Sequence, residues 1–324
     1  MSRGPHRVVV TGKIPQPGLD LLVAAGHDVV AWDDEAPIGR DELLRRVAGA
    51  TVIVSLLTER IDDELLEAAG PGLRAVCNVA VGYNNIDVPA CRSRGVTVTN
   101  TPGVLTDATA DLTMALILMS TRRLAEGERL IRRRDPWQWG MFMMLGTGIQ
   151  GARLGLVGMG QIGTAVARRA RAFGMTVAYS NRRRVDSAVE AELDAVHLSF
   201  DELLETSDVV SLHCPYSSET HHLVGAAQLN TMKRSAHLVN TARGPVVDEA
   251  ALVEALERGA IAGAGLDVFE HEPQIHEGLL GRDDVVLIPH LGSATVETRT
   301  AMATLAARNA LSLLADGGAI TPVG

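Results

Sequence analysis

Three residues of this 324-residue chain have side chains suited to anion and proton chemistry, and each stands just beyond an apolar, strand-like run. Arg243 follows "HLVNTA", Glu272 lies five residues after Asp267 at the end of "AGAGLDVF", and His290 follows "VVLIP". An arginine can clamp a carboxylate with two parallel hydrogen bonds. A histidine gives or takes a proton near neutral pH, and a carboxylate beside it orients the ring. Next to a nicotinamide, such a set makes a reduction site for 2-oxo acids. Each residue also has a plainer role open to it: Arg243 capping a strand end, Glu272 one more acid in "FEHEPQIHE", His290 a satisfied turn histidine. His271 and His276 read as surface residues of that polar loop, and a loop role is favoured for His213, His221 and His222.

A second constellation concerns phosphate. "RLGLVGMGQIGTAVARRARAFGMTVAYS" sets Gly158, Gly160 and Gly163 in the G-x-G-x-x-G spacing, with Gln161 and Ile162 opening a helical pattern and an apolar run on either side. The first glycine permits a tight turn, the second lets the backbone approach a pyrophosphate, and the third allows close helix packing. The helix N-terminus then offers unpaired N–H groups to the anion. Alone the spacing is weak; between a strand and a helix it points to a dinucleotide.

An NAD-preferring fold usually has an acid about 20 residues on, to accept hydrogen bonds from the ribose. Here the second strand ends in Ser180 and Asn181, followed by Arg182, Arg183 and Arg184. No carboxylate is present to repel a 2′-phosphate, and the arginines offer charge-assisted donors. NADP is therefore expected, with NAD possible. Asn181 and Arg182 are the first expected contacts, then Arg183, with Arg184 solvated.

These sites need a scaffold, and the chain is long enough for about two domains. Short runs ("RVVVTG", "HDVVAW", "ATVIVSLL", "LRAVCNVAVG", "VTVTN") alternate with helical stretches, then "TPGVLTDATADLTMALILMSTRRLAEGERLIRRR" supplies a helical pattern of about thirty residues. Alternation resumes with "RLGLVG", "TVAYS", "DVVSLHC", "AHLVNTA", "AGAGLDVF" and "VVLIPH". The pattern predicts two doubly wound, parallel-sheet α/β domains with the active site in the cleft between them. Only the second series opens with phosphate-binding glycines, so residues 101–287 are expected to bind the nucleotide. The tail helix has no further strand to cover there and should return to the first domain, giving a discontinuous substrate domain of residues 1–100 and 288–324.

Bulk properties narrow the partners. A net charge of −9 argues against nucleic acid, because phosphate backbones need a basic surface. Cys77, Cys91 and Cys214 are odd in number and lack metal-ligand spacing, so no metal is expected and the thiols read as reduced. No apolar run approaches the roughly 18 residues that a membrane span needs. A soluble, cytoplasmic protein is expected. Of the 30 basic residues only Lys13 and Lys233 are lysines, which makes an arginine run less unusual.

Along nearly its whole length the sequence resembles the D-isomer-specific 2-hydroxyacid dehydrogenases, and within them the glyoxylate, hydroxypyruvate and 2-ketogluconate reductases. The segments that carry the resemblance are "VAVGYNNIDVPACRSRGVTVTNTPGVLTDATADL", "LGLVGMGQIG", "LVNTARGPVVDEAAL", "GAGLDVFEHEP" and "LIPHLGSAT". It implies that Arg243 binds the carboxylate and carbonyl of a small 2-oxo or 2-hydroxy acid, that His290 donates the proton in reduction, and that Glu272 pairs with His290. It also implies that Asp267 lies at the nicotinamide amide and that Cys214, Pro215, Thr220, Thr241 and Ala242 form the cofactor rim. Val81 and Gly82 match a loop whose N–H groups meet the substrate carboxylate, with Leu57 an apolar neighbour and Ser293 similarly placed.

Some positions depart from the family. Asn84 stands where relatives often have Asp, and where some relatives cover the substrate with an aromatic side chain from the partner subunit this stretch reads Trp139, Gly140, Met141, Phe142, Met143 and Met144. No appended regulatory domain follows, which lowers a phosphoglycerate reading, and Glu272 speaks against a formate dehydrogenase. The reading is an NADPH-preferring reductase of a small 2-oxo acid, with Gly and Pro near Asn100–Pro102 and "LIPH" as hinges and the long helix after Thr106 as a homodimer face. The rival is a redox-sensing, partner-binding protein of the same fold, as related transcriptional corepressors are.

Overall fold

Each apolar run named above is a strand in the computed structural model, which describes residues 4–323. The strands are β1 (Arg7–Val10), β2 (Asp28–Ala31), β3 (Val52–Ser55), β4 (Ala75–Asn78), β5 (Thr97–Thr99), β6 (Arg153–Val157), β7 (Thr176–Ser180), β8 (Ala195–His197), β9 (Val209–Leu212), β10 (His237–Asn240), β11 (Gly263–Leu266) and β12 (Val285–Leu287). Helices α1 (Gln16–Ala24), α2 (Arg40–Val47), α3 (Asp63–Ala69) and α4 (Val88–Ser93) alternate with the first five. Then come α5 (Thr106–Thr121), α6 (Leu124–Arg133), α7 (Gln161–Ala172), α8 (Ser187–Leu193), α9 (Phe200–Thr206), α10 (Ala226–Thr231), α11 (Glu249–Glu257) and α12 (Val296–Leu314). β8 escaped the sequence reading because three residues at a sheet edge leave no pattern to count.

The chain divides into two units, Met1–Leu105 with Ser293–Gly324, and Thr106–Gly292. In the first, five parallel strands run in the order β2-β1-β3-β4-β5. In the second, seven parallel strands run β12-β11-β10-β9-β6-β7-β8. Both orders reverse beside their first strand, the topology of doubly wound, Rossmann-like α/β folds, whose ligands lie outside the carboxyl ends of the strands at that reversal. One core face of the larger sheet is covered by Leu203, Leu229 and Leu252, the other by Ile117, Val166 and Ala170.

The divisions at 105/106 and 292/293 lie five residues beyond the expected crossings at 100/101 and 287/288. Local hydrogen bonds explain the difference. Thr101 N donates to Ala80 O and Asn100 N to Thr321 O, which hold 100–101 in the first unit. His290 N donates to Asp267 O, which holds 288–292 in the second. α12 lies on α1, β3 and β4. Small residues let the two helices approach: a Cβ at Gly18 would stand 2.9 Å from Ala303 Cβ. Met1–Arg3 and Gly324, part of the expected first domain, lie outside the described residues.

The thirty-residue helix is a correction. α5 stops at Thr121 and α6 starts at Leu124, because Arg123 takes a left-handed φ of 53°. The returning chain covers the end of α5, with Thr147 N donating to Thr121 O at 2.8 Å. Part of the apolar surface of α5 is used within the unit: Met114, Leu116 and Ile117 are buried where α5 packs on β10, β11, β12 and α7. Leu112, Leu118 and Met119 of the same helix stay half-buried. The exposed apolar groups follow instead, at Trp139, Met141 and Phe142.

One strand residue gives a stability prediction. His237 begins β10, is 6% exposed and hydrogen-bonds Ser120 Oγ through Nδ1. Burial pushes its pKa down to about 4, whereas an unfolded histidine titrates near 6.5. The unfolded chain therefore binds the extra proton across this window, and the contribution present above pH ~6.5 is lost as pH falls toward ~4. His237→Asn should flatten the pH dependence of urea unfolding there by roughly 3 kcal/mol. Parallel curves for the two chains would contradict this. Among the described residues no helix is long and apolar enough to cross a membrane, and no group of three His, Cys, Asp or Glu side chains could hold a metal.

Candidate functional site

In the second unit the glycine turn joins β6 to α7. Gly158 has φ +94°, and a Cβ on it would stand 2.7 Å from Cys214 N; one on Gly163 would stand 2.5 Å from Gly158 O. Gly160 differs, since a Cβ there would meet nothing within 4 Å. It forms the N-cap of α7 without any side-chain cap, so the first-turn N–H groups of Gln161, Ile162 and Gly163 open onto that space. An open cradle at the N-terminus of a three-turn helix fits a dinucleotide diphosphate.

β7 delivers the next group. Asn181 Oδ1 accepts from Met159 N at 2.7 Å, so this side chain braces the glycine turn rather than reaching outward as expected. Arg182 is exposed and meets Glu219 at 3.1 Å, a contact that solvent makes weak and exchangeable. Arg183 is exposed. Arg184 is exposed, as expected, and pairs at 3.0 and 2.9 Å with Glu190, which also takes the Tyr179 hydroxyl. It secures the start of α8.

The loop after β9 carries Cys214 and Pro215, with Cys214 half-buried against Gly158. Thr220 Oγ1 donates to Pro215 O and accepts from Ser217 N, both at 2.8 Å, closing that loop. After β10, Thr241 is buried on Thr113 Oγ1 at 3.0 Å, and Ala242 N donates to Asn240 Oδ1. Asn240 Nδ2 returns a bond to Arg243 O at 2.9 Å, fixing the backbone from which the arginine projects.

Arg243, Asp267 and His290 follow three adjacent strands, β10, β11 and β12, at their carboxyl ends. His290 Nδ1 and Glu272 Oε2 are 2.8 Å apart, and Glu272 Oε1 accepts from Phe269 N at 2.9 Å. The carboxylate fixes Nδ1 as the donor, so Nε2 is the nitrogen available to an incoming group. It has no partner among the described residues, and the side chain is 28% exposed. Burial pushes the Glu272 carboxyl up, but the hydrogen bond and charge of His290, the Phe269 N–H and the nearby Arg243 outweigh it and hold the group below the usual carboxylate range. Burial pushes the Arg243 guanidinium down, against the charge of Glu272; a guanidinium stays charged regardless.

Asp267 was expected at the nicotinamide amide. Its buried carboxylate accepts from Leu291 N and from Gly292 N, the latter at 2.9 Å. Burial raises its pKa, with the two N–H groups and His290 opposing. It thereby holds the turn of His290, whose φ of 51° is unusual for a residue with a side chain.

The first unit positions its candidates by a network of amides that the sequence reading missed. Asn78 Nδ2 donates to Gly82 O at 3.0 Å, and Asn100 Nδ2 to Val81 O at 2.8 Å. The N–H groups of Val81 and Gly82 donate to nothing among the described residues. Asn85 Nδ2 holds Leu56 O and Glu59 O, both at 3.0 Å, and buried Glu59 accepts from Leu56 N at 2.7 Å and Thr11 Oγ1 at 2.6 Å. Leu57 is thus presented at 39% exposure on a fixed turn. Ser293 O accepts from Thr295 N just before α12. The available signal was amide residues at the ends of apolar runs, in "CNVAVGYNN" and "VTVTN".

Comparison with known proteins places the chain in a family. The family model for the NAD binding domain of D-isomer specific 2-hydroxyacid dehydrogenases matches residues 114–292. The glyoxylate reductase of Thermococcus onnurineus (strain NA1) is 47% identical over 311 residues, 94% of this chain and 92% of that protein. That of Korarchaeum cryptofilum (strain OPF8) is 48% identical over 309 residues, again 94% and 92%. The solved NADPH-dependent glyoxylate/hydroxypyruvate reductase of Sinorhizobium meliloti, in complex with NADP and malonate, is 35% identical with a TM-score of 0.85, covering 99% of this chain and 97% of that one. The chain belongs to the D-isomer specific 2-hydroxyacid dehydrogenase family and is an NAD(P)-dependent oxidoreductase.

Proposed function

We propose that the chain reduces glyoxylate to glycolate, and hydroxypyruvate beside it to its D-2-hydroxy acid, with NADPH preferred over NADH. The observation that carries this reading is the His290–Glu272 pair: a carboxylate on Nδ1 leaves Nε2 as the nitrogen able to donate a proton, and the charge of Arg243 acts on the same carboxylate. A bound reduced nicotinamide supplies the hydride. Arg243 binds the substrate carboxylate and polarises the carbonyl; His290 Nε2 delivers the proton to the carbonyl oxygen; Glu272 orients the imidazolium. In the first unit, the N–H groups of Val81 and Gly82 suit a carboxylate, and Leu57 suits a small apolar neighbour. The relatives named glyoxylate reductase support the substrate class.

NADPH preference rests on the end of β7. No acid stands there, and Arg182 and Arg183 are exposed where an adenosine ribose would lie if the diphosphate occupies the Gly160 cradle. The relative from Sinorhizobium meliloti is described as NADPH-dependent. Two charge-assisted contacts of roughly 1.5–3 kcal/mol each amount to a preference of about 10²–10⁴-fold. Arg182→Ala combined with Arg183→Ala should lower the ratio of kcat/KM for NADPH over NADH by about that factor. An unchanged ratio removes the arginines from the account.

A further inference from the structure

His221 and His222 played no part in the site as read from the sequence, yet His222 touches both loops on which that site stands. Its backbone N donates to Pro245 O at 2.8 Å, two residues beyond Arg243. Its Nε2 lies 2.6 Å from Glu270 Oε1, two residues before Glu272, and its Nδ1 lies 3.9 Å from Asp248 Oδ2. A carboxylate accepts only, so Nε2 is the donor in that bond. The residue takes a left-handed φ of 49°, and its ring stacks on His221 at 4.0 Å. A side chain held in that backbone region marks a position the surroundings over-determine.

The two loops are in direct backbone contact at this point. A Cβ on Gly244 would stand 1.8 Å from Phe269 O and 2.4 Å from Glu270 N, so the chain after Arg243 rests on the chain before Glu272. Glu270 N donates to buried Glu249 Oε1 at 2.7 Å. Phe269 N, in the same stretch, holds Glu272 Oε1. The His222–Glu270 bond thus stands beside the Glu249–Glu270 bonds among the links between the chain after Arg243 and the chain before Glu272.

We propose that His222 is a positioning residue: by binding Pro245 O and the Glu270 carboxylate together it sets Arg243 and Glu272 in register, and through Glu272 it sets the direction of His290 Nε2. This rests on the reading that Arg243, Glu272 and His290 carry the reduction. His222 touches neither the glycine cradle nor the arginines after β7, so its loss is felt in turnover and not in nucleotide affinity. Glutamine can present an N–H at about the reach of Nε2; asparagine falls short of it, and leucine has no donor.

The test is steady-state reduction of glyoxylate by the full chain and by the His222→Gln, His222→Asn, His222→Leu and His290→Gln variants, with nucleotide affinity measured separately. The expected result is a 10- to 100-fold fall in kcat for His222→Leu and His222→Asn, nucleotide affinity within about two-fold of the parent, and recovery of most of kcat in His222→Gln. If leucine prevents folding, the glutamine and asparagine variants decide alone, with glutamine expected to be about ten-fold faster. Parent-like kcat in the asparagine variant, or glutamine no better than asparagine, overturns the proposal. An inactive His290→Gln beside an unimpaired His222→Asn sinks this inference only. A fully active His290→Gln sinks the catalytic reading and this inference with it.

Discussion

Replacing His290 by glutamine should lower kcat for 2-oxo acid reduction by roughly 10²–10⁴-fold, the usual contribution of a positioned general acid, with nucleotide affinity little changed. Glutamine keeps a polar group near Glu272 but has no proton to give at neutral pH. Its hydrogen bond to the carboxylate can persist, so the turn held by Asp267 should survive and the loss should be chemical rather than structural. Nucleotide affinity is set elsewhere. The glycine cradle follows β6 and His290 follows β12, four strand steps away in the sheet order and so about 19 Å apart at ~4.8 Å per step. Steady-state kinetics beside a fluorescence titration of NADPH separates the two quantities. Parent-like kcat in the variant means the proton comes from another group.

Arg243→Ala should cost about as much, but divided differently. The guanidinium is asked to hold a carboxylate and to polarise a carbonyl, and each charge-assisted hydrogen bond is worth about 1.5–3 kcal/mol. Losing two of them lowers kcat/KM by about 10²–10⁴-fold, with KM for the oxo acid rising as well as kcat falling. Arg243→Lys should recover only a fraction, because an ammonium is a point charge and cannot reproduce the planar fork. The backbone clamp from Asn240 to Arg243 O does not depend on the side chain, so the loop itself should hold in both variants. An alanine variant with unchanged KM for the oxo acid removes Arg243 from substrate binding.

The parallel sheets were legible because buried strands between crossover helices read as β-branched runs at regular spacing, as in "VVSL" of β9 and "HLVN" of β10. The glycine turn was legible for a steric reason: only glycine tolerates the approach of Cys214 N to position 158 and of Gly158 O to position 163. The partnership of His290 with Glu272 could be named but not measured, since it depends on β11 and β12 being neighbours and on the turn at Phe269. What was not legible has a common cause, namely contacts between segments distant in sequence. The helix after Thr106 breaks at Arg123, where Thr147 returns to cover Thr121 O, and no local propensity announces that. Asn181 was read by its chemistry as a contact for a ligand; the backbone of Met159 engages it first. His222 looked like loop material until Pro245 and Glu270 were seen on either side of it.

The central claim is that this chain turns over small 2-oxo acids with a nicotinamide cofactor. The most direct measurement is the loss of reduced-nicotinamide absorbance when the purified chain meets glyoxylate, hydroxypyruvate and a panel of longer 2-oxo acids, with NADPH and NADH in parallel and the chirality of the product determined. The account predicts turnover of glyoxylate and hydroxypyruvate, faster with NADPH, with the D-isomer from hydroxypyruvate. Tight NADPH binding with no turnover of any 2-oxo acid would contradict it and would favour a cofactor-sensing, partner-binding role for the same fold.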